Sequence, residues 1–360
     1  MQIFFKKNWD SSKERYIKWW NQEGVIISCW KGYSKFSAED IFKTKLLSWR
    51  DFWSDPEYSA RYNEYVLSNL DYPLDILPIA KPDLGPGSLC LFLGSDIKDF
   101  SEKTIWYDPA DFDIFAKPFE FEPECKWWQI QQKIIRKNLE YSKGRYMVGF
   151  PDLIENLDIM ASLLGTENLL FALTEKPQKI KEKIFEINQI YFEVYNRIYE
   201  MIKDEKGCAC FGAFNLWAPG KVAKVQCDVS VLISPSMFKD IVIPALDEQC
   251  RWLDYSMYHI DGSAELRHLD NLLKIENLKA FEWTPEPTVP SGGSAQWFDL
   301  YKRILAAGKS LQLIHIKPQE VETIFENLGT NGLYLAVDCD TPAEFEQIEK
   351  IHESISEVSN

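Results

Sequence analysis

Short apolar runs alternate along the chain with longer stretches whose apolar residues recur at helical spacing. The runs are hydrophobic on both faces, which is typical of strands buried within a parallel sheet. Eight runs fit this description: Val25–Cys29, Leu74–Ile79, Tyr146–Phe150, Cys208–Phe214, Tyr255–Ile260, Ala280–Trp283, Leu311–Ile316 and Leu333–Val337. Eight strands separated by helices predict an α/β fold closed into a (β/α)8 TIM barrel. Two further runs, Leu169–Leu173 and Val225–Val229, are also strand-like, so the number of strands stays open.

Capping signals mark where several helices begin and end. Ser234 precedes Pro235, which predicts an N-cap followed by proline at the first helical position. Residues 341–344 (Thr-Pro-Ala-Glu) form a capping box. Residues 179–206 form a long amphipathic stretch that stops at Gly207, a suitable residue to end a helix.

The first 70 residues differ from the rest, because aromatic residues recur there at near-helical spacings. They include Trp19-Trp20, Trp30, Trp49, Phe52-Trp53, Tyr58 and Tyr62. We therefore predict one domain over residues 1–360, with a helical cap over 1–70 and the main barrel over 71–360. These rings either pack onto the barrel, which we favour, or form an apolar lid over its pocket.

Composition narrows the class of protein. The net charge of −15 and the lack of a basic stripe argue against nucleic acid as a partner. The same charge disfavours a substrate with many carboxylates, unless its pocket is locally basic.

No apolar run approaches the ~20 residues that span a membrane, and the early lysines are unlike a signal peptide. The eight cysteines form no CxxC pair, which predicts reduced thiols and a cytoplasmic protein. Walker-type and G-x-S-x-G motifs are also absent from the sequence.

Of the four histidines, His259 has the most distinctive setting. His268 and His352 lie on predicted helices among charged residues, and His315, near a strand end, is a secondary candidate. His259 precedes Asp261 by two residues at the end of a predicted strand, so both side chains share one face. At the carboxyl end of a barrel strand that face is the active-site mouth. The pair could bind a metal, act as an acid/base pair, or merely anchor a loop.

Three further candidates stand at other strand ends: Asp228, Glu282 and Cys339. They converge with His259 only if the barrel closes. A histidine and a cysteine with one or two carboxylates would then suit a zinc site that keeps an open position. For Cys339 the alternative is a small buried hydrophobic residue.

Several of these segments resemble the uroporphyrinogen decarboxylase superfamily. Residues 233–238 (Ile-Ser-Pro-Ser-Met-Phe), Ile243-Pro244 and 258–262 (Tyr-His-Ile-Asp-Gly) resemble its "SPxMF…P" helix and following "HxCG" strand end. Cys339 with Thr341-Pro342 resembles the last strand and helix of that family. The likeness is clearest over roughly the last 130 residues. Blocks such as 93–95 (Leu-Gly-Ser) and 268–273 resemble a branch related to corrinoid-linked methyltransferases.

The resemblance implies one of two chemistries. The decarboxylases hold a tetrapyrrole with several carboxylates through an arginine-rich segment near the first strand. The corresponding residues 25–36 contain Lys31 and Lys35 but no arginine, which argues against that reaction.

The methyltransferases hold zinc on a His-x-Cys pair plus a distant cysteine and work with a separate corrinoid protein. His259 and Cys339 keep these ligand types, whereas Asp261 stands where cysteine is usual, which makes any bound zinc more electrophilic. The resemblance therefore implies a zinc- and corrinoid-dependent methyltransferase or demethylase for a small-molecule methyl donor or acceptor, with Glu282 or Asp228 supporting the site. The alternatives are a metal-free decarboxylase or lyase that uses His259 and Asp261 as acid and base, and a non-catalytic protein that binds a tetrapyrrole or corrinoid.

Overall fold

A parallel sheet of six strands organises the fold, which is mixed α/β. The computed structural model describes residues 3–29 and 48–358, so Trp30, Lys31 and Lys35 lie outside the described residues. The strands are β1 (Ile26–Cys29), β2 (Ile79–Ala80), β3 (Asp96–Phe100), β4 (Ile105–Asp108), β5 (Met147–Val148), β6 (Ala209–Phe211), β7 (Leu216–Ala218), β8 (Val222–Val225), β9 (Tyr255–Asp261), β10 (Ala280–Thr284), β11 (Ser310–Ile316) and β12 (Leu333–Val337).

Among the described residues, the helices lie between the strands along the chain, with one helix before β1 and one after β12. They are α1 (Trp9–Trp20), α2 (Trp49–Ser54), α3 (Pro56–Ser68), α4 (Leu89–Phe92), α5 (Lys126–Ser142), α6 (Asn156–Leu164), α7 (Thr166–Glu175), α8 (Pro177–Ile202), α9 (Pro235–Met237), α10 (Ile243–Trp252), α11 (Leu269–Leu272), α12 (Phe298–Ala306), α13 (Val321–Leu328) and α14 (Pro342–Val358). A 3-10 turn over Asp228–Leu232 follows β8, and another over Ser263–His268 follows β9.

The strand register sets one row of side chains across the sheet. The order is β1-β12-β11-β10-β9-β8, with every neighbouring pair parallel. Glu282 pairs with His259 on one side and with Gln312 on the other, and Gln312 pairs with Tyr334. Partners in a parallel register point to the same face, so these four polar residues form a continuous row.

The opposite face of the sheet is apolar. Phe281, Trp283, Leu311, Leu313 and Leu335 occupy the alternate positions, and all five are fully buried. The polar row is buried as well, with Glu282, Gln312 and Tyr334 inaccessible to solvent. Burial of both faces explains why these strands read as uninterrupted hydrophobic runs.

Each of the eight predicted strand runs contains or overlaps a strand, but the sheet differs from the prediction at β8. The prediction of strands in an α/β fold is confirmed, and Leu169–Leu173 belongs to helix α7. The strand β8, at the end of the sheet order, overlaps the open candidate run Val225–Val229 only at Val225, because Lys224 interrupts its apolar pattern; that lysine is buried in an ion pair with Asp152. The strands β2 and β5 pair in a separate two-stranded sheet. Closure into an eight-stranded barrel stays a prediction.

Most of the predicted helix boundaries agree with the structure. The Ser234 hydroxyl accepts a hydrogen bond from Met237 N (3.2 Å), and Thr341 exchanges hydrogen bonds with Glu344. The long helix α8 stops at Ile202, four residues before the predicted Lys206. It stops there because the Asp204 carboxylate accepts the amides of Lys206 and Cys208 and folds that segment into a loop.

Helix α1 closes the end of the sheet at which the strands begin. Trp19 Nε1 donates to the carbonyl of Gly332 (3.1 Å), just before β12, and Trp20 Nε1 donates to Trp217 O (2.9 Å). Both rings are buried, which agrees with the packing interpretation of the aromatic cap. The predicted cap also includes β1, which pairs with β12 in the main sheet. In the described ranges, no single helix is long and apolar enough to cross a membrane; the sharply bent pair α6 and α7 passes by length and composition.

Asp75 fastens three parts of the chain to one another. Its carboxylate pairs with Arg15 of α1 (2.6 Å), accepts Ile27 N of β1 (3.2 Å) and lies 3.1 Å from His352 Nε2 of α14. Burial raises the pKa of Asp75, but the hydrogen bond to His352 and the charge of Arg15 outweigh it, and the pKa falls below its ordinary value. Asp75 is therefore a buried anion held by its partners.

We expect Asp75→Asn to lower the free energy of unfolding by about 3–5 kcal/mol, because it removes one partner of a buried ion pair. The control is Asp10→Asn, whose pair with Lys13 is exposed to solvent and should contribute little to the free energy of unfolding. Urea unfolding measures both free energies.

The stabilisation by Asp75 also depends on pH. Because the pKa of Asp75 is lowered in the folded state, its contribution to the free energy of unfolding is complete above the unfolded-state pKa of about 3.9 and is lost as the pH falls through the folded-state pKa. Equal loss in both variants, or a pH-independent difference, would contradict this role.

Candidate active site

A cavity of about 820 Å³ opens beside the carboxyl ends of β8 and β9. His259 and Asp228 line it, together with Lys224 and the aromatic side chains of Trp106, Tyr107 and Phe214. Further lining carboxylates are Asp152 and Asp158. The cavity thus brings together two of the predicted site residues and lies at the edge of the sheet where they were expected.

His259 and Glu282 form a hydrogen-bonded pair within the polar row. They are direct register partners on β9 and β10, and His259 Nδ1 is bonded to Glu282 Oε2. The second carboxylate oxygen of Glu282 accepts the hydroxyl of Thr284 (2.7 Å). The ring of Phe214 lies 5.0 Å from the imidazole, centroid to centroid. The histidine ring is therefore fixed from both sides.

The pair leaves one nitrogen of His259 for a ligand. Burial lowers the pKa of His259, but the charge and hydrogen bond of Glu282 outweigh that effect, so the pKa is raised. Within the described part of the chain, Nε2 has no hydrogen-bond partner, and the residue lines the cavity. A carboxylate that holds Nδ1 while Nε2 faces a cavity is an arrangement suited to acid–base work or to orienting a substrate.

Lys224 is the only lysine or arginine among the described residues that line the cavity. Its ammonium pairs with Asp152 (2.9 Å) and donates to the side-chain oxygen of Gln226. Burial lowers the pKa of Lys224, but Asp152 and Glu155 outweigh burial and raise it. Lys224 is therefore a charged structural counter-ion, and its charge is already neutralised.

The acidic side chains around the cavity outnumber this one lysine. Burial, together with other carboxylates, raises the pKa of Asp228 to about 6, that of Glu155 to about 8 and that of Glu265 to about 9. Both carboxyl oxygens of Glu265 are buried and lack a hydrogen-bond partner in the described residues. The cavity wall is therefore locally acidic. Glu155 and Glu265, which do not line the cavity, hold their protons at neutral pH, whereas Asp228 on the wall is protonated mainly below about pH 6.

The structure does not bring Asp261 and Cys339 to the cavity that contains His259. Asp261 is exposed at the end of β9 and does not line the cavity. The thiol of Cys339 is hydrogen-bonded to that of Cys29, which, with burial, raises the pKa of Cys339. Over residues 3–29 and 48–358, no group of three or more His, Cys, Asp or Glu side chains could hold a metal ion. The zinc site that the resemblance implies stays a prediction.

Four charged residues of the site escaped sequence analysis: Lys224, Asp152, Asp158 and Glu155. Asp152 follows the predicted strand run Tyr146–Phe150 by two residues. Asp228 was selected because it stands at the end of a predicted strand, and the same criterion would have selected Asp152. Lys224 carried no such signal, because a lysine within an apolar run suggests a solvent-exposed position. Asp158 lies within helix α6, and only the tertiary structure directs it to the amides after β8.

No known family model matches this chain, and no curated protein matches it significantly.

We expect Glu282→Gln to lower the pKa of His259 from its raised value to below the ordinary ~6.5. The substitution removes the charge that raises the pKa and leaves the burial that lowers it. Proton–nitrogen NMR titration of the imidazoles measures this, and with four histidines the spectra are tractable. The control is Glu286→Gln, whose carboxylate accepts hydrogen bonds from Ser263. A pKa unchanged in Glu282→Gln would show that the pair is not formed in solution.

Proposed function

We propose that the chain is an enzyme that moves a methyl group between a small molecule, bound in the 820 Å³ cavity, and a corrinoid carried by a separate protein. The observation that carries the proposal is the His259–Glu282 pair at a cavity that Asp228, a carboxyl group of raised pKa, also lines. The resemblance of residues 233–238 and 258–262 to the corrinoid-linked branch supports the choice of methyl transfer and of the corrinoid partner.

His259 would hold the heteroatom from which the methyl group departs. Glu282 fixes the ring through Nδ1, so Nε2 keeps one direction into the cavity. Such preorganisation lowers the barrier because the substrate is held in a reactive geometry before the transfer begins. The aromatic rings of Trp106, Tyr107 and Phe214 supply the apolar surface that excludes water from the reacting groups.

Zinc on His259, Asp261 and Cys339 stays part of the proposal as the resemblance implies it, and no step of the proposal is routed through the metal. The zinc prediction keeps its own test, which is metal analysis of protein purified without chelator. One equivalent of zinc that is lost in His259→Ala and Cys339→Ser would support the metal-dependent mechanism. An active protein without zinc would contradict it.

A metal-free decarboxylase or lyase is the second candidate, because the His259–Glu282 pair could perform proton transfer without a metal. The negative charge of the cavity argues against a decarboxylase or lyase. The carboxylates of Asp152, Asp158 and Asp228 would repel a carboxylated substrate, and Lys224 is already paired. A carboxylate-bearing tetrapyrrole bound without chemistry meets the same obstacle. Release of carbon dioxide without a corrinoid would identify the lyase, and a retained visible-absorbing ligand without turnover would identify the binding protein.

The proposal includes the predicted closure of the strands into a barrel, because a closed barrel brings the carboxyl ends of all its strands together around one site. Two contacts outside the six-stranded sheet support closure. A parallel bridge joins Phe150, after β5, to Phe211 of β6, and Asp75 N donates to Ile27 O of β1 (3.0 Å). These contacts support a barrel in which the β2–β5 pair lies between β1 and β6. We also keep the cytoplasmic location as a prediction; the eight cysteines are all in the thiol form, as it requires.

We expect His259→Ala to lower the rate of methyl transfer to reduced cobalamin by roughly 10²- to 10⁴-fold, the usual effect of removing a positioned proton-transfer or hydrogen-bonding group. Rates are followed by the absorbance of the corrinoid with a panel of O-, N- and S-methyl donors. His315→Ala is the matched control, because His315 is exposed and paired with Asp338. A similar loss in both variants, or full activity of His259→Ala, would contradict the assignment.

A further inference from the structure

Asp228 and Asp158 are neighbouring carboxyl groups with different hydrogen-bond environments. Asp158 accepts three hydrogen bonds, from the amides of Asp228 (2.9 Å) and Val229 (3.0 Å) and from Gln226 Nε2 (3.1 Å). No hydrogen-bond donor of the described residues reaches the carboxyl group of Asp228, which is exposed to the cavity. Burial raises the pKa of Asp158, but these three hydrogen bonds oppose that shift and stabilise its anion, so Asp158 is the better-stabilised anion of the two carboxyl groups.

A second acid beside a stabilised anion keeps its proton. Burial and Asp158 raise the pKa of Asp228 to about 6, whereas His259 and Lys224 oppose the shift. Asp261 also faces Asp228 and raises its pKa, and the charge of Asp228 in turn helps to raise the pKa of Glu265. An acid with a pKa of about 6 is partly protonated near neutral pH and gives up its proton readily.

We infer that Asp228 is the proton donor of the cavity, and that the methyl donor is therefore one whose leaving atom is a basic oxygen or nitrogen. This inference rests on the proposed methyl transfer. Asp228 takes the role that sequence analysis offered to Asp261, because Asp228 lines the cavity and Asp261 does not.

The step balances with the partner's reduced corrinoid as the methyl acceptor. The electron pair of the acceptor forms the new bond to the methyl carbon as the bond between that carbon and the heteroatom breaks. The bonding pair stays on the heteroatom and takes the proton of Asp228, which becomes a carboxylate and is reprotonated from solvent. A sulfonium or quaternary ammonium donor leaves as a neutral molecule and needs no proton, so Asp228 gives it no advantage.

His259 is the poorer donor of the two groups. Glu282 holds the Nδ1 proton, and the charge of that carboxylate raises the pKa of the imidazole, so the proton on Nε2 is also given up less readily. Asp228 has no such partner in the described residues, so its proton is transferred at lower cost. The arrangement assigns the orientation of the substrate to His259 and the proton to Asp228.

The first experiment measures the proton itself, with the full chain carrying carbon-13 at the aspartate carboxyl groups. We expect one carboxyl resonance with a midpoint of about 6 that is absent from Asp228→Asn. In Asp158→Asn that midpoint falls toward the ordinary value near 4, because the neighbouring charge is gone. Titration of Asp228 near 4 in the unmodified protein would overturn the inference without touching the proposed function.

The second experiment measures transfer to reduced cobalamin from two matched methyl donors, methyl phenyl ether and trimethylphenylammonium. Asp228→Asn should lose roughly 10²-fold or more with the ether and less than about 3-fold with the ammonium donor, and Asp228→Glu should recover the ether activity. The rate with the ether should fall as pH rises above about 6. Equal losses with both donors would overturn the inference, whereas corrinoid-independent turnover would overturn the proposed function instead.

Discussion

The parallel register of β9 and β10 is the constraint on which the candidate site depends. It sets Glu282 directly beside His259 on one face of the sheet, where the carboxylate is fully buried. A buried carboxylate without a partner would be costly, so the imidazole and the hydroxyl of Thr284 are both required by the fold. A shift of the register by one residue would turn Glu282 toward the apolar face that carries Phe281 and Trp283.

Charge balance around Lys224 is the second determinant of the site. The strand β8 places this lysine in the interior, where Asp152 neutralises it and Gln226 links it to Asp158. The acids that remain raise the pKa of Asp228, which is the most exposed of the three aspartates that line the cavity. The same interaction that builds the wall of the cavity therefore also keeps a proton at its surface.

Sequence patterns predicted the strands well and the site only in part. The apolar runs identified β9 to β12 and located His259 and Glu282 at strand ends, because burial on both faces leaves a clear pattern. They missed most of β8, because the pairing of Lys224 with Asp152 joins residues 72 positions apart and leaves no local signal. They grouped Cys339 with His259 by resemblance, whereas the structure pairs its thiol with Cys29 across the β1–β12 edge.

The central claim is that Glu282 holds Nδ1 of His259 and leaves Nε2 for the substrate. Nitrogen-15 chemical shifts of the imidazole at a pH above its pKa test this directly, because they report which nitrogen carries the proton of the neutral ring. The account predicts a protonated Nδ1 and a bare Nε2 for His259. The opposite tautomer, or an equal mixture of the two, would contradict it.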